Sequence, residues 1–145
     1  TGHFDNAILE RFDVEAMVNY CFEELKIENL WVVGWSFGTD LALKFARDKR
    51  IKGLILLSPP LRFSTEEDLQ WWAQDGRRVI ALVPEFDDYL RPDEARLRFA
   101  AVKQMKIIAV DGAKHLWVGE PSVHRVLSEI TAVIAPDKAP LPSEY

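Results

Sequence analysis

The chain has 145 residues, 48% of them hydrophobic, and a single cysteine. This composition predicts one packed domain over 1–145, without an intrachain disulfide framework, in a reducing, cytoplasmic setting. Eighteen Lys and Arg against 23 Asp and Glu leave a net charge of −5, and no basic block appears, so nucleic acid and anionic membrane are not expected partners. No apolar run approaches the roughly 20 residues that a membrane-spanning helix needs.

Residues 12–25 are predicted to be a helix. Val14, Met17, Val18, Cys21 and Leu25 fall on one face of a 3.6-residue period, with Asp13 as N-cap. The apolar run Leu30 to Val33 reads as a first strand. Gly34 to Gly38 interrupts it, and a helix follows to about Arg47 with Leu41, Ala42, Phe45 and Ala46 inward. Ile51 to Leu57 is the second strand, closed by Ser58-Pro59-Pro60. Ser64 with Glu67 gives a capping-box signature for a helix reaching about Ala73.

Val79 to Val83 is the third strand, and Pro92 suits the first turn of the next helix, whose inward residues are Ala95, Phe99 and Val102. Lys106 to Val110 is the fourth strand. Pro121 starts a last helix with Val123, Val126, Leu127, Ile130, Val133 and Ile134 inward. Residues 136–145, with three prolines, read as a flexible tail. Strands alternating with helices over short connections predict an α/β fold with a doubly wound, mainly parallel sheet. Ligands of such sheets lie beyond the carboxyl ends of the strands, so the residues there are the candidates for chemistry.

After the first strand stands Gly34-Trp35-Ser36-Phe37-Gly38, a G-x-S-x-G pattern. A serine hydroxyl is a weak nucleophile and must be presented to a base and a substrate together. A sharp strand-to-helix turn lifts it clear of the sheet, and flanking glycines leave room where a Cβ would clash. The new helix also aims free N–H groups at the place where an oxyanion develops. Chance gives the pattern in roughly one chain in twenty of this size. Its setting between an apolar strand and an amphipathic helix gives it weight.

After the third strand, Glu85, Asp87 and Asp88 compete to orient a histidine. After the fourth comes His115, suited to act as general base and then general acid. Of the other two histidines, His3 is near the chain start and His124 falls inside the last helix. The order Ser, acid, His along the chain is the one expected of this kind of site.

These segments resemble the α/β-hydrolases, in particular small, nearly capless bacterial hydrolases related to dienelactone hydrolases. The resemblance rests on Trp35-Ser36-Phe37-Gly38, on Leu56-Leu57-Ser58-Pro59-Pro60, on Leu82-Val83-Pro84-Glu85-Phe86-Asp87-Asp88 through Pro92, and on Val110-Asp111-Gly112-Ala113-Lys114-His115-Leu116-Trp117. It covers roughly residues 1–135, and Thr1-Gly2-His3-Phe4-Asp5 is similar to the family's loop after its fourth strand. Pro84 and Glu85 depart from the His and Gly usual there.

The resemblance implies a serine hydrolase cleaving an ester, thioester or related acyl bond of a small molecule. Ser36 is the implied nucleophile, His115 the base, Asp88 the acid with Asp87 as fallback, and Phe37 N–H an oxyanion donor. No metal or organic cofactor is expected. It further implies that this chain supplies the last four strands of an eight-stranded sheet. The earlier strands and the second oxyanion donor would precede Thr1. The first strand's edge would then be covered by that segment or by a partner copy. Acyl transfer by the same residues, or a non-catalytic scaffold, are the competing readings. Phe63, Trp71, Trp72 and Trp117 are candidates for an apolar acyl pocket.

Overall fold

A computed structural model describes residues 4–143. The elements in chain order are α1 (Glu10–Glu23), β1 (Leu30–Trp35), α2 (Phe37–Phe45), β2 (Ile51–Leu57), α3 (Glu66–Asp75), β3 (Arg78–Phe86), α4 (Pro92–Arg98), β4 (Lys106–Lys114) and α5 (Glu120–Ile134), followed by a 3-10 turn at Pro136–Lys138. The four strands form one sheet in the order β1-β2-β3-β4, and all three pairings are parallel. The doubly wound sheet expected from the sequence is therefore present, with four strands. Among the described residues no helix is long and apolar enough to cross a membrane.

The central strands explain their own composition. Leu54 and Leu56 of β2 face one side of the sheet and Ile55 and Leu57 the other, so both faces must be covered. On one side Leu54, Leu56, Val79, Ala81 and Val83 pack against Leu43 of α2, Trp72 of α3 and Ala95 of α4. On the other, Ile55, Leu57, Ile80 and Leu82 pack against Val126 of α5. Phe99 and Val102, expected inward, are 2% and 3% exposed.

Four local expectations for the helices change. In α1 only Val18 is buried, with Val14 and Phe22 packed beside it, whereas Met17 and Leu25 are exposed. The contact row is the i, i+4, i+8 ridge against α2, narrower than the sequence stripe. Asp13 sits within the first turn of α1, and Leu9 is the N-cap. The capping box of α3 is Thr65 with Asp68, not Ser64 with Glu67. Ser64 is committed elsewhere, since its Oγ donates to Asp40. Asp68 is favoured by tertiary partners, the cations Lys44 and Arg47. In α5, Val123, Leu127 and Ile134 are exposed and only Val126 is fully buried.

Candidate active site

Strand length decides what the sheet presents at its carboxyl rim. β1 ends at Trp35, β2 at Leu57, β3 at Phe86 and β4 at Lys114. The next residues in the chain are Ser36, Ser58, Asp87 and His115, and hydrogen bonds join all four into one cluster.

Ser36 sits on a strained turn, with φ 49° and ψ −120°. For a residue with a Cβ this is an unfavourable backbone region. The neighbouring structure holds it there. Ser36 N–H donates to Leu57 O of β2 at 2.9 Å, and Thr39 N–H and Oγ1 both donate to Ser36 O. Gly34 is obligatory. A Cβ on it would lie 2.5 Å from Gly38 O and 2.8 Å from Thr39 N, both backbone atoms that cannot step aside. Gly38 differs from expectation, because a Cβ there meets nothing within 4 Å. Only the first glycine of the pattern is required by close approach. Phe37 opens α2, so its N–H lacks an intrahelical partner and is free to face a ligand.

His115 is 7% exposed. Its Nε2 lies 2.8 Å from Ser36 Oγ and its Nδ1 lies 2.9 Å from Asp87 Oδ2. An ionised carboxylate only accepts, so Nδ1 carries the proton and donates to Asp87. Nε2 is then left to accept from the Ser36 hydroxyl. The backbone of His115 is pinned as well: its carbonyl accepts from Ser58 Oγ at 3.0 Å and from Trp35 Nε1 at 3.1 Å. Tyr89 packs edge-on against the imidazole, with ring centroids 4.8 Å apart.

The acid facing His115 is Asp87, and the sequence assignment of Asp88 is corrected here. Asp87 is 3% exposed, and its Oδ1 accepts from the N–H groups of Tyr89 at 2.8 Å and Leu90 at 3.1 Å. Asp88 is exposed, and among the described residues its carboxylate takes no hydrogen bond. Glu85, the third competitor, accepts from Gly112 N–H at 2.7 Å and ties β3 to the end of β4. The cause is the length of β3, which continues three residues past Val83. Pairing with β2 ends at Leu82, and Ser58 N–H donates to Leu82 O. Beyond that point β3 pairs only with β4, so Pro84 with its missing N–H is tolerated, as on an edge strand.

An aromatic group stands beside the serine. Phe4, Phe37 and Phe63 meet edge to face, with centroids 5.2 to 6.1 Å apart. Of the opening Thr1-Gly2-His3-Phe4-Asp5, Phe4 and Asp5 are among the described residues. Trp72 is fully buried in the core and its Nε1 donates to Leu43 O. Trp71 meets Trp72 edge to face, and the guanidinium of Arg47 lies over its ring. Trp117 is 6% exposed and packs with β2 and α5. Of the four proposed pocket residues, Phe63 stands beside Phe37, and Trp117 lines an apolar cavity with Trp35, Leu57 and Leu116. His124 is remote, with Nε2 3.0 Å from Pro142 O.

Sequence reasoning overlooked Ser58, Trp35 and Tyr89. Ser58 had a signal available, since it is the first residue after its strand. Trp35 and Tyr89 act through contacts about 80 and 26 residues distant in the chain, which no local pattern encodes.

A family profile described as alpha/beta hydrolase fold matches residues 9–101. The chain belongs to the α/β hydrolase fold family. The match includes Ser36 and Asp87 and stops before His115, whose place is given by the geometry. No curated protein sequence matches the chain. Solved structures do. An alpha-beta serine hydrolase homologue from Coxiella burnetii superposes with a TM-score of 0.68 at 22% identity, covering 96% of this chain and 63% of that one. A lidless serine hydrolase from Xanthomonas campestris gives 0.68 at 18% identity, over 98% and 63%. A dienelactone hydrolase candidate from Klebsiella pneumoniae gives 0.73 at 14% identity, over 86% and 60%. These likenesses show the shared α/β hydrolase fold. The chain spans less than two thirds of the length of each of these structures.

Proposed function

We propose that this α/β hydrolase chain carries the nucleophile, base and acid of a serine hydrolase that cleaves an ester, thioester or related acyl bond. One observation carries the reading: a single buried imidazole bridges Ser36 Oγ at 2.8 Å and Asp87 Oδ2 at 2.9 Å.

In the proposed reaction Ser36 Oγ attacks the acyl carbonyl carbon as His115 Nε2 takes its proton. The Asp87 carboxylate stabilises the imidazolium that forms and holds the ring in the required tautomer. Negative charge gathers on the carbonyl oxygen, where Phe37 N–H and the positive end of α2 favour it. His115 gives the proton to the leaving oxygen or sulfur, and the C–O or C–S bond breaks to leave an acyl-Ser36. Water, deprotonated by His115, attacks this ester, and Ser36 is regenerated as the carboxylic acid leaves. Positioned hydrogen bonds at a developing oxyanion are each worth about 3–4 kcal/mol of barrier.

The substrate is a small acyl compound whose acyl part lies near Phe37 and Phe63. β1 lies at an edge of the sheet with Val33 and Trp35 exposed. In this reading that edge receives a further strand, as the greater length of the structural relatives suggests. Release of p-nitrophenol from short-chain esters by the full chain tests the reaction. Turnover that disappears in Ser36→Ala, with circular dichroism unchanged, supports it. Equal turnover by Ser36→Ala refutes it.

A further inference from the structure

Asp40 is fully buried, lies in the first turn of the helix that Ser36 opens, and takes no part in the proton path. Burying a carboxylate costs several kcal/mol unless hydrogen bonds compensate. Here one oxygen carries them all. Oδ1 accepts from Ser64 Oγ at 2.6 Å, Ser64 N–H at 2.9 Å and Phe63 N–H at 3.2 Å. Oδ2 is buried without a hydrogen-bond partner among the described residues. All three donors belong to the loop between β2 and α3, more than 20 residues away in the chain.

This loop reaches both sides of the site. Phe63 sets its ring 5.4 Å from that of Phe37, the residue next to the nucleophile. Arg62 lies over the Tyr89 ring at 5.7 Å, and Tyr89 packs on His115. Arg98 also holds the loop, at Leu61 O, from α4. Asp40 is the clamp that comes from the nucleophile helix itself. A buried acid wired to a loop two elements away fixes the distance between that loop and Ser36.

We propose that Asp40 is a positioning residue that clamps the β2–α3 loop to α2, so that Phe63 forms a fixed wall selecting which acyl groups reach Ser36. The inference rests on the hydrolase reading and names what sets its acyl selectivity. Asp40 touches neither substrate nor reacting atoms and acts through Phe63. Releasing the clamp changes discrimination between acyl groups while leaving the elbow intact.

The test compares the wild-type full chain with Asp40→Ala, Ser64→Ala, Phe63→Ala and the Asp40→Ala/Phe63→Ala pair. The readouts are kcat/KM for p-nitrophenyl acetate, butyrate, hexanoate and benzoate, and the rates of Ser36 labelling by a small and a bulky fluorophosphonate. The expected result is a change of about tenfold or more in the acyl ratio for Asp40→Ala, comparable to what a pocket achieves between substrates one methylene apart. Labelling by the small reagent stays within about threefold of wild type, since the oxyanion and base geometry is kept. The double variant matches Phe63→Ala alone, because residues acting through one contact are not additive. Ser64→Ala removes one of the three bonds from the loop side and shifts the ratio in the same direction, which keeps the test decisive if Asp40→Ala fails to fold. Acyl and labelling profiles of the folded variants that superimpose on wild type overturn the inference. So do additive effects of Asp40→Ala and Phe63→Ala. Wild-type protein that neither turns over esters nor takes the label refutes the hydrolase reading instead. Wild type that is labelled without turnover refutes hydrolysis and leaves the labelling ratios to decide on Asp40.

Discussion

Replacing Asp87 by Asn tests the geometry of the imidazole most sharply, because the change is one atom in size. Oδ1 of the wild-type residue accepts from Tyr89 and Leu90 N–H, and Oδ2 accepts from His115 Nδ1. The asparagine oxygen can keep the two backbone bonds, so the turn and fold survive. Its NH2 group then faces Nδ1, and two donors cannot share that 2.9 Å contact. The ring escapes by moving its proton to Nε2, where it blocks acceptance from Ser36 Oγ. An imidazole in the wrong tautomer costs on the order of 10⁴ in kcat, or about 5.5 kcal/mol of barrier. Asp88→Asn is the control. Its side chain is exposed and removed from His115, so activity stays within about threefold, as for surface changes that touch nothing specific. Steady-state hydrolysis of an activated ester, with thermal melting to check the fold, measures both. Asp88→Asn falling further than Asp87→Asn would refute the reasoning and return the acid role to position 88.

Two further outcomes follow from the same structure. Gly34→Ala forces a Cβ to within 2.5 Å of the Gly38 carbonyl oxygen. It is expected to cost about 3 kcal/mol or more in urea unfolding through backbone strain, whereas Gly38→Ala, with open space at its Cβ, changes stability little. Asp68 titrates below the ordinary carboxylate value of 3.8. Burial raises its pKa, but the Thr65 N–H and the Lys44 ammonium outweigh that and lower it. A folded pKa below the unfolded one means that the unfolded state binds more protons between the two. The Asp68 contribution is thus complete above about pH 5 and lost as acid carries the solution down through the folded value. Asp68→Asn should remove this part of the acid limb, and denaturation curves at pH 3 and pH 7 read it; a wild-type difference between those pH values fully kept in Asp68→Asn counts against it.

Much of the arrangement is legible in the sequence. The apolar strands and the glycine-framed serine follow from local chemistry, and so does the position of His115 just past its strand. What escaped was decided by contacts between distant segments. The apolar run Val79–Val83 stops three residues short of the end of β3 at Phe86, because Pro84 is harmless once β2 has dropped out of the pairing at Leu82. The added length of β3 brings position 87 to the sheet rim beside His115, whereas the family resemblance implies position 88. The box at the start of α3 has two registers in Ser64-Thr65-Glu66-Glu67-Asp68. The choice lies with Asp40, Lys44 and Arg47, all on or just beyond α2. The α1 stripe was broader in sequence than in contact because Met17 and Leu25 have nothing to pack on among the described residues.

Fluorophosphonate labelling followed by peptide mass mapping goes straight to the claim that one serine is activated by its neighbours. The account predicts a single adduct on Ser36 of the folded full chain. It is absent in Ser36→Ala and forms at least about 10³-fold more slowly in His115→Gln, as loss of the base requires. A folded protein that stays unlabelled, or one that carries the adduct on another serine, would contradict it.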